Sequence, residues 1–375
     1  MRATRRHRRR AALGGSPLAV LAALTLAAPA AGAPPWEAAE NIRASLFSAQ
    51  TALLLDEDPA QSLGSASDAL ESSLRRDLAE SDPAALRAAR AGIDDAERAF
   101  SAGDDVALAA ARGDVVAAIR RGAYAVTVDA VRAGDAQTAR RWLLVRDFRK
   151  ATRFTRPGVD ATAAIDGLAA GDTSPDDAST AVQKDLLDAY QARLFDYLGE
   201  AEREADNDFG PALAESAALV RGYWLIIDDE YAELRGPAEH DAADAAFSNL
   251  ERAAIAGDVR AFESARDQVR ERLDGFTAAP FTPEEQARRA AQLTRFLELV
   301  PVEWDHGTED GRLTVPFEMQ EMTAFIDAAQ SALDDLEPEL DQRDPAAVTT
   351  AEDALSELRG IATNACEGGE VVSQE

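Results

Sequence analysis

The sequence predicts an all-α fold, built as antiparallel helical bundles of roughly a dozen helices. Three observations predict it. Ala, Leu, Arg, Asp and Glu dominate, and clusters of β-branched and aromatic residues of the strand type are almost absent. Apolar residues recur at helical spacing, as in Leu187, Tyr190, Leu194 and Tyr197, and again in Leu293, Phe296, Leu297 and Val300. Prolines follow capping residues at Asp58-Pro59, Asp82-Pro83, Ser174-Pro175, Gly210-Pro211, Gly236-Pro237, Thr282-Pro283 and Asp344-Pro345, each marking a helix start. The short connections between these points imply antiparallel neighbours.

Residues 1–30 read as a signal segment. Six arginines between Arg2 and Arg10 precede the apolar run from Pro17 to Ala30, and Ala28-Pro29-Ala30 supplies a small-x-small cleavage site. The run is short for a membrane helix, although an uncleaved anchor stays open as the alternative. The expectation is an exported protein on the periplasmic or extracellular side of the cytoplasmic membrane. Any membrane contact would come through a partner or an uncleaved segment.

Residues 31–158 then form a first helical half. Within it, Glu97-Arg98-Ala99, Ala102-Gly103-Asp104 and Ala111-Arg112 recur, offset by 154, as Glu251-Arg252-Ala253, Ala256-Gly257-Asp258 and Ala265-Arg266. In both copies Gly ends one helix and Asp caps the next. Duplicated halves and chance matching of Ala-rich helices both remain open. The stretch Arg140 to Gly158 alternates basic residues with Trp142, Phe148 and Phe154. It reads as helical to about Lys150, with Pro157-Gly158 as a break. Residues 159–375 form the second half, ending in a flexible tail. Thr282-Pro283-Glu284-Glu285 fits a capping box within it.

Charge narrows the function classes. The chain carries −29 net, and loss of the six signal arginines takes it to −35. Nucleic acid and anionic lipid are poor partners for such a surface, whereas cations are attracted to it. One cysteine, Cys366, allows no internal disulfide. After the signal segment only His240 and His306 remain, with no Gly-rich phosphate loop, GxSxG or HExxH, so Ser-His-Asp hydrolysis and a zinc site are unsupported.

Carboxylates remain. Val300 to Gly311 reads as a turn-rich connection containing Glu303, Asp305 and His306. Beyond it, Glu318 and Glu321 are three apart, on one side of a helix. Glu318 also extends the apolar stripe of Met322, Phe325, Ala329 and Leu333, where a carboxylate is costly unless paired or ligated. Glu303, Glu318 and Glu321, with Asp305 or His306, therefore form a candidate hard-oxygen site for iron or another divalent cation. Pairing of Glu318 with Arg146 or Arg149 is the structural alternative. Arg146, Arg149, Arg153 and Arg156 have two readings of their own: a clamp for an anion such as citrate or phosphate, or ion-pair partners of core-facing acids. Trp142 and Phe154 are read as core. An iron-centred enzyme such as a ferroxidase is disfavoured, because bundle di-iron sites use Glu-x-x-His pairs and this reading places neither histidine in one.

Longer strings carry a resemblance. Ala139-Arg140-Arg141-Trp142-Leu143-Leu144-Val145-Arg146-Asp147-Phe148-Arg149, Thr152-Arg153-Phe154-Thr155-Arg156-Pro157-Gly158, Gly275-Phe276-Thr277-Ala278-Ala279-Pro280-Phe281 and Phe317-Glu318-Met319-Gln320-Glu321 are examples. With them the chain resembles the extracytoplasmic region of bacterial high-affinity iron permeases of the FTR (Efe-type) family, here without the membrane permease part. That resemblance implies iron uptake, iron ions as ligand and an iron permease membrane protein as partner. The chain is expected to be an exported accessory domain that captures or relays iron rather than an enzyme. The alternative is a purely structural helical module that docks on a permease or other envelope partner and binds no metal.

Overall fold

The structure is a computed structural model and describes residues 33–55, 57–147, 160–309 and 311–366. The signal segment and Arg149, Phe154, Arg153 and Arg156 lie outside the described residues. Fourteen α-helices and one two-stranded ribbon occupy the described part, so the fold is all-α, as predicted.

The first helices are α1 (Pro35–Leu55), α2 (Ala60–Ala69) and α3 (Arg75–Ser81), with a π-helical segment at Leu70–Leu74 joining the last two. Next come α4 (Pro83–Ala102), α5 (Asp105–Arg132) and α6 (Ala136–Leu143). One apolar core, including Ile42, Leu46, Leu74, Ile93 and Trp142, lies among them. Then follow α7 (Ala161–Ala170), α8 (Pro175–Asp206), α9 (Gly210–Arg235), α10 (Pro237–Ala256) and α11 (Val259–Leu273). Their core is aromatic. Trp224 stacks on Phe247 at 4.6 Å and meets Tyr231 edge-on at 5.1 Å.

Helix α5 serves both cores, and it approaches α9 closely because small residues line the seam. A Cβ on Gly222 would stand 2.1 Å from the Ala117 Cβ, and one on Gly113 would stand 2.7 Å from the Glu215 carbonyl oxygen. Neither position admits a side chain without moving a helix.

The caps follow the sequence. Asp82, Ser174 and Thr282 accept from backbone N–H groups of the first turns of α4, α8 and the helix after residue 282. The two repeat copies take the same form: Gly103 and Gly257 end α4 and α10 with φ of +70° and +65°. Asp104 and Asp258 then accept from the N–H of Ala107 and Ala261. At Pro59 the signal reads one residue early, because Asp58 caps Ala60, where α2 begins.

The basic stretch departs from expectation. Helix α6 ends at Leu143, well before Lys150. Trp142 is buried and donates to Asp77, and tight i→i+3 turns at Val145 and Arg146 close the helix. Asp147 then accepts from the Tyr223 hydroxyl at 2.6 Å and pairs with Arg120 and Arg193, each at 3.2 Å. These tertiary bonds draw the chain off the helical path that local propensity favoured.

A third core covers α12 (Pro283–Gly307), α13 (Pro316–Arg343) and α14 (Pro345–Cys366). The ribbon of β1 (Thr308–Glu309) and β2 (Arg312–Leu313) turns α12 into α13. Helix α13 is central: α12 and α14 pack on it and scarcely on each other. Lys184 on α8 and Glu285 in the α12 capping box, 3.5 Å apart, tie the two regions together.

Candidate metal centre at the α12–α13 tip

The segment read as a turn-rich connection is helical as far as Gly307. Pro301 lies inside it. Inside a helix, proline removes one hydrogen bond and crowds the carbonyl four residues earlier. Here α12 continues for six residues past it, anchored by the buried Val300 and Trp304. The consequence is chemical. On a helix, Glu303 and His306 are a Glu-x-x-His pair on one face, so the sequence reading that excluded such a pair is corrected.

Glycine at 307 brings the facing helix in. A Cβ there would stand 2.8 Å from the Met319 methyl carbon and 3.2 Å from the Glu318 Cβ. The Gly307 carbonyl accepts from the N–H of Thr314 and of Val315, which fixes the entry to α13. Glu318, in the first turn of α13, thereby faces the last turn of α12. Ligand atoms of Glu303, His306 and Glu318 all lie within 4.8 Å of one another, in the one such group among the described residues.

Glu303 is buried, Glu318 is half-buried and His306 is exposed, so the site is walled at the back and open at the front. Burial pushes the Glu303 carboxyl above its ordinary range. The hydrogen bond and charge of Glu318 add to this, as does the charge of Glu321, while His306 opposes it. Two carboxylates this close need a proton or a cation between them. Two carboxylates and an imidazole form a ligand set that suits iron and other divalent ions of intermediate hardness.

Two more predicted residues flank the centre. Glu321 lies one turn along α13 and acts on Glu303 through its charge. Asp305 is exposed on α12 and is not part of the three-residue group. Arg146 is engaged elsewhere: it donates to Thr162 on α7 at 3.1 Å and stands 3.8 Å from Asp185 on α8. The described carboxylate it stands beside is Asp185, not Glu318. His240 stacks on Trp224 and lies 3.7 Å from Asp228.

A family description matches most of the chain. Residues 32–272 match the iron permease FTR1 N-terminal domain, and residues 282–375 match the iron permease-associated 4-helix bundle domain. This chain belongs to the FTR1 iron permease family. No curated protein and no solved structure matches it. The family is one of transporters, and its role lies in iron uptake. Among the described residues of this FTR1-family chain, no helix is long and apolar enough to cross a membrane.

Sequence reasoning passed over one other acidic pair. Asp114 on α5 and Glu251 on α10 share a hydrogen bond beside Arg221 of α9. Both fall on stretches that look like solvated helix surface, and only the packing of α5 against α9 and α10 reveals them.

Gly307 offers a direct test of how the centre is held. Gly307→Val is expected to push the first turn of α13 away and weaken metal binding about 10-fold or more, the scale of lost supporting contacts around a metal site. Calorimetric titration with Mn(II) reads this, and unchanged affinity would show that the close approach is not what sets the geometry.

Proposed function

We propose that this chain is an exported accessory domain for iron uptake, which captures iron ions at Glu303, His306 and Glu318 and relays them to a membrane permease. The supporting observation is the convergence of those three ligand atoms from two helices. They come with a wall of apolar packing behind and an open front. Glu321 and Asp305 hold negative charge at the approach. The net charge of −29 raises the local concentration of cations around the whole domain. Three protein ligands and an open face suit a site that must release its ion as well as take it.

The test removes iron by chelation and titrates the full chain with Fe(II) under anaerobic conditions, followed by metal analysis. The native chain is expected to hold one ion. Glu303→Gln together with Glu318→Gln is expected to lower affinity by more than about 100-fold, beyond what loss of a supporting contact costs. Equal binding by the double variant would rule out this site. A native chain that retains no iron would leave the metal-free docking module as the reading of choice.

A further inference from the structure

We propose that two copies of this chain meet at the α12–α13 tips and hold a two-metal centre between them, each copy supplying Glu303, His306 and Glu318. The inference rests on the metal-site reading above. Helical-bundle two-metal centres take one Glu from each of two helices and a Glu-x-x-His pair from each of the other two. This chain has half of that set. Helix α12 gives Glu303-x-x-His306 and α13 gives Glu318. The other half is not found among the described residues, where the second histidine, His240, is stacked on Trp224.

The front of the half-site is shaped for a partner. Three ligand atoms leave half of an octahedral shell open, and His306 stands exposed at that opening. Large apolar side chains next to the ligands in the chain are exposed: Phe317 is 60% exposed, Val302 41% and Val315 39%. Phe317 directly precedes the ligand Glu318. An isologous contact would set these residues against their own equivalents and place the two half-sets face to face.

Charge makes the pairing conditional. Each copy carries −29 net, and the facing tips both present Glu303, Glu318, Glu321 and Asp305. The apolar rim is small against the roughly 1,200 Å² that a stable interface buries. Without a cation the tips repel. Two divalent ions neutralise four of the facing carboxylates and bridge the copies. Pairing should therefore require metal and strengthen with ionic strength, which screens the remaining repulsion.

Native mass spectrometry and light scattering of the full chain, without metal and with Mn(II), test this alongside the Mn(II) electron paramagnetic resonance spectrum. The expected result is a monomer without metal and, on loading, a dimer with one ion per chain and the exchange-coupled signal of a manganese pair. Phe317→Ser is expected to keep one ion per chain but remain monomeric, with an isolated-ion spectrum. A native chain that binds one ion and stays monomeric overturns the pairing while leaving the single-ion site intact. A chain that binds no ion overturns both.

Discussion

Arg289→Ala is expected to destabilise the α12–α14 region by about 3–5 kcal/mol, the cost of breaking a buried ion pair from one side. The Arg289 side chain is fully buried. It meets Asp335 of α13 at 2.5 Å, Gln292 of its own helix at 2.9 Å, and the Ser331 carbonyl and hydroxyl at 3.3 Å. Truncation would take the guanidinium away from an Asp335 carboxylate that has little exposure to water. A shape-matched apolar pair, Arg289→Met with Asp335→Leu, should recover most of the loss, because the desolvation cost of both charges disappears together. Urea unfolding and amide exchange along α12 and α13 read the effect. A loss below about 1 kcal/mol, the scale of an exposed pair, would show that the bridge is solvated. Because α12 and α13 carry Glu303, His306 and Glu318, Arg289→Ala should also weaken metal binding, whereas the double variant should retain it.

How much of this was legible in the sequence depends on the range of the interactions involved. Caps and hinges are local, so Asp82, Ser174, Thr282 and the paired Gly103-Asp104 and Gly257-Asp258 turns read correctly from spacing alone. Glu318 stood out as a candidate because a carboxylate on an apolar stripe calls for a partner, whereas Glu303 stood out only as one of several oxygen ligands in a segment read as a connection. The Glu-x-x-His spacing was hidden for a different reason. A separation of three has geometric meaning only on a helix, and Val300 to Gly311 reads in the sequence as a turn-rich connection. Arg289 follows Arg288 and looks like a solvated face; its burial comes from α13, more than forty positions on. The same holds for the end of α6. Asp147 leaves the helix for Tyr223, Arg120 and Arg193, none of which is its neighbour in sequence. Family strings identified the chain where such long-range contacts gave no sequence signal.

Stability between about pH 4 and pH 8 should fall as the pH rises, and Asp114 is the main cause. Burial pushes its carboxyl up to about 8; the charge and hydrogen bond of Glu251 add to this, and Arg221 opposes it. Glu251 is itself raised by burial. Arg221 cannot fully compensate, because it is drawn to Asp244 at 2.8 Å. Nor can Asp114 move away, since Gly113 beside it is locked against Glu215 and Ala218 of α9. A group whose folded pKa lies above its unfolded value stabilises fully below the unfolded pKa. That contribution is lost as pH rises through the folded one. For Asp114 the window runs from its ordinary 3.8 to about 8. The difference corresponds to on the order of 5 kcal/mol, shared with Glu251. Asp114→Asn keeps a hydrogen-bonding group without the charge. It should be more stable than the native chain at pH 8 and nearly equal to it at pH 4, with a flatter profile between. The acidic surface also self-repels as pH rises, so Asp94→Asn, at an exposed position on α4, serves as the control for net charge. Thermal unfolding across that range separates the two. If the Asp114 and Asp94 variants shift the profile alike, the slope belongs to the surface as a whole and not to the buried pair between α5 and α10.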